Sequence, residues 1–145
     1  MAGCDQDTGT GVVRRLHEAF NERDRDALLR CLSEDVAWQV AGSHPLAGNY
    51  EGRNHLWDAF FEPMWPSPAR IEDHDILEHG EYVIALEAAI HNFGEGEQSW
   101  ETAEVFRLEG GRVVERREFT SRQPELDRLL TRGCAAGAAT GTGLG

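Results

Sequence analysis

The hydrophobic period of this chain changes once, near residue 70, and that change constrains its fold more than any motif. Before it, apolar residues recur at helical spacing: Val12, Leu16, Ala19 and Phe20, then Ala27, Leu28, Cys31 and Leu32, then Leu56, Trp57, Phe60 and Phe61. Thr10, Asp24 and Asn54 stand where helix N-caps are needed. The stretch NERD (21–24) separates the first two helices, and Pro63 and Pro66 end the third. A short strand, VAWQVA (36–41), and a loop rich in Gly, Pro and Asn (42–52) lie between them. After residue 70 the alternation is that of strands: 70–80, then 81–93, then a hairpin from SWETAEVFRLE to RVVERREFTS. GEGEQ and EGG supply turns, and Gln123–Pro124 opens a final short helix with Leu126, Leu129 and Leu130.

Helices first and antiparallel strands second predict an α+β fold rather than alternating α/β. The helices should cover one face of a strongly curved antiparallel sheet and leave a cavity between the two layers. The predicted domain is single and spans 10–132. A polar, Gly-rich arm (1–9) precedes it, and a flexible Gly/Ala/Thr tail (133–145) follows.

A formal net charge of −12 argues against nucleic-acid and anionic-membrane partners, because phosphate binding needs clustered Lys and Arg. No run approaches the roughly 18 apolar residues of a membrane span, and the first residues lack the apolar core of a secretory signal. Three scattered cysteines, Cys4, Cys31 and Cys134, suggest no disulfide framework and a reducing cytoplasm.

Candidate chemistry concentrates in the strands. Glu87 is a lone carboxylate in the apolar run VIALEAAIH, sharing a face with Val83, Ala85, Ala89 and His91. Such a group is costly to bury unless paired or protonated. It is either a structural ion-pair partner or a cavity acid/base. In VVERREF (113–119), period two puts Val114, Arg116 and Glu118 on one face. If that face is inward, Arg116 can bridge Glu118 to Glu87. If it is outward, the two make a surface ion pair worth at most about 1 kcal/mol. Glu104 shares a face with Trp100, Thr102 and Phe106 and is a second-rank pocket candidate, a cross-strand surface pair being the favoured reading. His44, in a Gly/Pro loop, and His91, about 13 Å along its strand from Glu87, are candidates for polar substrate contacts. Trp38, Trp57, Phe60, Phe61 and Trp100 are candidates for core and cavity lining. Alternation puts His74 opposite Asp73 and Asp75, and no cluster has ligand spacing, so no metal is expected. The glycines are turn glycines, not phosphate cradles, so no cofactor is expected either.

Taken in order, LHEAFNERDRDALLRCLSEDVAW, HPLAGNYEGR, the aromatic helix and the closing GGRVVERREF resemble the nuclear-transport-factor-2-like superfamily, in its SnoaL-like and ketosteroid-isomerase-like branch. The resemblance covers 10–132. It implies a cone-shaped fold, an apolar small-molecule ligand and a homodimer formed through the sheet. It also implies that Trp38 points inward. The tyrosine and aspartate of ketosteroid isomerases would fall at Leu16 and Val40, which excludes that constellation. In the frame of limonene-epoxide hydrolases the two carboxylates fall on Glu118 and Glu87. The arginine position falls on Ala85, and the assisting tyrosine and asparagine fall near Trp38 and Val40. The expectation is a cofactor-free acid/base enzyme performing polyketide-type cyclisation, isomerisation or epoxide hydrolysis, with Glu87, Glu118 and Arg116 catalytic. The alternative is a non-catalytic binding or dimerising module.

Overall fold

A computed structural model describes residues 8–143, with side chains to Gly133; the N-terminal arm expected at 1–9 lies almost wholly outside the described residues. The architecture is α+β: helices pack against one face of a curved, unclosed six-stranded sheet. Helices α1 (Gly9–Glu22) and α2 (Arg25–Arg30) lead into β1 (Leu32–Val40) and β2 (Gly48–Glu51). A helical segment follows as α3 (Arg53–Leu56), a π turn (Trp57–Phe61) and α4 (Glu62–Met64). Strands β3 (Arg70–His79), β4 (Tyr82–Asn92), β5 (Glu97–Glu109) and β6 (Arg112–Thr120) precede α5 (Gln123–Gly143). The strand order is β2-β1-β6-β5-β4-β3, and only the β1–β6 pair is parallel.

Local chemistry explains where the elements differ from the sequence expectation. The cap of α1 is Thr8, whose side chain accepts from the Gly11 N–H. Thr10 instead donates its N–H and hydroxyl to Glu78 of β3, tying the helix start to the sheet. Asp24 caps α2 as expected, accepting from the Ala27 N–H. Leu32 opens β1 rather than closing α2, and part of the 42–52 loop forms the short edge strand β2. Asn54 is not a cap; Gly52 occupies that position without a side-chain bond. Nor does Pro63 end its helix. The turn before it widens so that the Glu62 N–H reaches the Trp57 carbonyl, the i→i+5 geometry that accommodates a proline ring in a continuing helix. Helix α5 continues beyond Gly133 into residues expected to form a tail; the alanines at 135, 136, 138 and 139 are the strongest helix formers.

β4 shows the layering most simply. Val83, Ala85 and Glu87 are buried under the helices, while Tyr82, Ile84 and Leu86 are exposed on the outer face. In β6 a bulge leaves Val114 without a β5 partner, since Leu108 pairs with Val113 and Arg107 with Glu115. Val113 and Arg116 are therefore both buried, which strict alternation forbids.

Arg23 closes the helical layer. It adopts a left-handed φ of 58°, and its guanidinium donates to the carbonyls of Trp65 (2.9 Å), Ser67 (2.6 Å) and Ala69 (2.7 Å) while lying 4.3 Å over the Phe20 ring. Arg23→Gly relieves the backbone cost but removes these bonds. It should destabilise the fold by about 2 kcal/mol, read as a lower urea midpoint. An unchanged or raised midpoint would mean that the clamp contributes nothing.

Candidate active site

The β-sheet register brings acids from four strands together. Asp73 lies opposite Glu87, which lies opposite Thr102; Ala85 lies opposite Glu104, which lies opposite Glu118. One step further along, Val83, Phe106, Arg116 and Trp38 form the next row. Rows two residues apart share the concave face, so Glu87, Glu104, Glu118, Arg116 and Trp38 converge there. A bulge at His74 interrupts the β3 register beside Asp73.

Helix α1 lowers a histidine into this group. His17 follows Val13 by one turn and precedes Phe20, on the buried face of the helix. Its Nδ1 lies 2.7 Å from Asp73 Oδ1 and its Nε2 lies 2.6 Å from Glu104 Oε1 and 3.7 Å from Glu87 Oε1. Arg116 holds the other Glu104 oxygen, with Nε at 2.6 Å and Nη2 at 2.5 Å. It also donates to the Gln39 carbonyl at 2.7 Å and to Glu118 at 3.1 Å, and its guanidinium lies 4.6 Å over Trp38. Glu118 accepts the Ala41 N–H at 2.9 Å. Arg116 therefore bridges Glu104 to Glu118. The carboxyl next to Glu87 is Glu104 rather than Glu118.

Each charge state follows from these neighbours. Burial, reinforced by the charge of Glu104 and a hydrogen bond to it, pushes the Glu87 carboxyl up to about 10, against the pull of His17 and Arg116. Burial would also raise Glu104, but Arg116 and His17 hold it well below the usual carboxylate range. Burial would lower His17; Glu104, Asp73 and Glu87 outweigh it and raise the imidazole to about 10. At neutral pH the cluster thus holds a neutral Glu87, an anionic Glu104 and a cationic His17.

Glu87, Glu104, Glu118, Arg116 and His17 border a cavity of about 120 Å³ between sheet and helices. Trp38, Phe60, Phe61, His44 and His91 also line it. Trp57 and Trp100 do not. Trp57 is spent in the helical layer against Trp65 and Phe61. Trp100 is fully buried behind His91 and Phe93. His44 uses Nδ1 to accept the Leu46 N–H. Burial lowers its pKa against the pull of Asp127 and Glu118. Burial, reinforced by His44, lowers His91 to about 4, and its ring stacks on Phe93.

Comparison with known proteins agrees with this architecture. The model of the SnoaL-like domain matches residues 13–116. The chain belongs to the SnoaL-like family. Solved structures similar to this SnoaL-like chain include a cystatin-like-fold protein of unknown function from Xanthomonas campestris, with 21% identity, 86% of this chain and 98% of that one covered, and a TM-score of 0.77. An NTF2-like protein of unknown function from Burkholderia pseudomallei shares 24% identity over 86% of this chain and 99% of that one, with a TM-score of 0.75. TerC, crystallised with polyporic acid, shares 13% identity over 85% and 98%, with a TM-score of 0.74. No curated protein matches the chain.

His17, Glu87 and Glu104 present donor atoms within 4.8 Å of one another, a set with metal-ligand composition. To hold a cation, the SnoaL-like cluster would have to give up the His17–Glu104 hydrogen bond beside an arginine that already neutralises Glu104. The set is better described as an ion-pair network in which Glu87 Oε1, 3.7 Å from His17, makes no hydrogen bond.

That network makes stability pH-dependent. The native state keeps a proton on Glu87 that the unfolded chain releases near the ordinary carboxyl value, so stability falls as pH rises from there to about 10. His17 contributes stability that is complete below its unfolded value near 6.5 and lost as pH rises through about 10. Glu87→Gln, a neutral isostere, should remove the first dependence only. Its urea midpoint should gain on wild type steadily from pH 5 to pH 9. Parallel midpoints would mean that Glu87 is ionised in the native state.

Proposed function

We propose that this chain is a cofactor-free acid/base enzyme acting on an apolar small molecule. The observation that carries the reading is a buried carboxyl, Glu87, among the residues lining the cavity, 3.7 Å from His17 and with one oxygen lacking a hydrogen bond; its surroundings push its pKa up to about 10. Of the four oxygens on Glu87 and Glu104, Glu104 Oε1 is bound to His17, Glu104 Oε2 to Arg116, and one Glu87 oxygen faces Glu104; Glu87 Oε1 has no hydrogen-bond partner and lies 3.7 Å from His17 Nε2. At rest the Glu87 proton is donated to Glu104; it reaches a ligand when the carboxyl turns its hydroxyl from Glu104 toward the cavity.

In the acid half-step Glu87 gives its proton to a ligand oxygen, of a carbonyl or an epoxide. The resulting carboxylate is stabilised by the cationic His17, 3.7 Å away. In the base half-step the same carboxylate takes a proton from carbon or from water, which restores the resting state. Glu104 stays anionic throughout and keeps His17 protonated. Arg116 holds Glu104 and Glu118 in place. The cycle suits cyclisation, isomerisation or epoxide opening, and TerC, a neighbour in fold co-crystallised with polyporic acid, is in keeping with a small-molecule ligand.

In a screen of polyketide-type ketones and epoxides, Glu87→Gln should lower kcat by about 10²- to 10⁴-fold and leave ligand affinity within a few-fold. Glu118→Gln, whose target is less directly engaged, should cost less. Wild-type kcat should be level through neutral pH and fall as pH rises toward about 10, where Glu87 loses its proton. Equal turnover by both Gln variants would leave a binding module of the same fold.

We further propose that the outer sheet face joins two copies of the chain. Leu77, Tyr82, Ile84, Leu86 and Phe119 are exposed there, and Leu77–Ile84 and Leu86–Ala103–Phe119 form continuous cross-strand rows. Wild type should sediment as a dimer and Leu86→Arg as a monomer; a monomeric wild type would contradict this. The buried thiol of Cys31 is in keeping with work in a reducing cytoplasm.

A further inference from the structure

Helix α1 lies along the inner side of β3 and is tied to it at three points. Near its start, Glu78 accepts the Gly9 and Thr10 N–H groups and the Thr10 hydroxyl. In its middle, His17 Nδ1 lies 2.7 Å from Asp73 Oδ1. Near its end, the Asn21 side chain donates to the Ile71 carbonyl and accepts the Ile71 N–H, both at 2.8 Å. The helix therefore runs antiparallel to the strand, and its position along the strand decides where His17 sits.

The spacings of the two elements agree because β3 is bulged. His17 to Asn21 spans four helical residues, about 6 Å; Asp73 to Ile71 spans two strand residues, about 6.6 Å. Thr10 to His17 spans seven helical residues, about 10.5 Å. In a regular strand Glu78 and Asp73 would be about 16.5 Å apart and, at an odd separation, on opposite faces. The extra residue at His74 changes both. Asp73 pairs with Glu87 and Glu78 with Val83, so five steps of β3 match four of β4, about 13 Å. Asp73 and Glu78 thereby face the same side, toward α1.

Three acids meet the His17 ring: Asp73 at Nδ1, and Glu104 and Glu87 at Nε2, at 2.6 and 3.7 Å. Arg116 lies behind Glu104. A hydrogen bond at one imidazole nitrogen fixes the ring and sets the role of the other. The Asp73 side chain is 22% exposed, against 3% for His17 and 2% for Glu104, so replacing it disturbs the buried network least. Asp73 is not on the cavity lining, whereas His17 is.

We propose that Asp73 is a positioning residue, brought to α1 by the bulge at His74, that fixes the His17 ring and presents its Nε2 to Glu104 and Glu87. It acts only through His17. Its effect on turnover rests on the acid/base reading above; its hold on the imidazole does not.

The test follows the His17 ring nitrogens by NMR in the full chain, ¹⁵N-labelled at histidine, across a pH titration. In wild type both ring N–H groups should be present at pH 7, and the ring should lose its proton only near pH 10. Asp73→Asn can still accept from Nδ1 but lacks the charge, so it should lower that pH by about 1–3 units. Asp73→Glu keeps the charge and should stay near wild type. Glu78→Gln loosens the start of α1 without touching the ring and should leave the titration in place. A wild-type ring neutral at pH 7, an unmoved titration in Asp73→Asn, or an equal shift in Glu78→Gln would each overturn the proposal; the first needs no variant to fold. With any ketone or epoxide that wild type turns over, Asp73→Ala should lower kcat by up to about 10²-fold and leave KM within a few-fold. A shifted His17 titration with unchanged kcat, or with no substrate turned over at all, would uphold the placement of the ring and overturn the acid/base reading.

Discussion

Arg116 and His17 hold one buried carboxylate, Glu104, between them, and the rest of the site depends on that contact. Taking ions out of water costs several kcal/mol each, recovered only where hydrogen bonds are complete. Here they are: both Glu104 oxygens and both His17 nitrogens are engaged, and Arg116 uses every donor group of its fork. The chain of contacts runs from α1 through β5 to β6 and β1, so it fixes the helical layer against the sheet. It also sets the charge of its neighbour. With Glu104 anionic and desolvated beside it, Glu87 keeps its proton.

The site is thereby a compromise between stability and reactivity. A Gln at position 87 would be easier to bury, and an apolar residue easier still. What the carboxyl adds is a proton held against the pull of solvent, next to a cation able to stabilise its loss. The aromatic wall of Trp38, Phe60 and Phe61 keeps the surroundings dry enough for these interactions to count.

Much of this was legible in the sequence, for physical reasons that differ by residue. The change from helical to alternating period gave the order of elements, because burial imposes that period on any chain. Glu87 stood out because one carboxylate in an apolar strand has few innocent explanations. Glu104 could have ranked higher: it alternates with Trp100, Thr102 and Phe106, all of which are buried, and the pattern already put it inside. His17 was missed because a histidine on an apolar helix face looks like ordinary core, and only the acids arriving from β3, β4 and β5 give it a charge. Asp73 was illegible, since its partner depends on a register interrupted at His74. The bulge at Val114 hid in the same way, because alternation alone cannot announce an extra residue.

The protonation state of Glu87 at neutral pH tests the central claim most directly. An infrared difference spectrum of wild type against Glu87→Gln at pH 7 isolates that one group. A carbonyl band of a protonated carboxylic acid, present in wild type and absent in the variant, is the predicted result. A difference made only of carboxylate bands would contradict it, and Glu87 would then be an ion in a salt-bridge network rather than a proton donor.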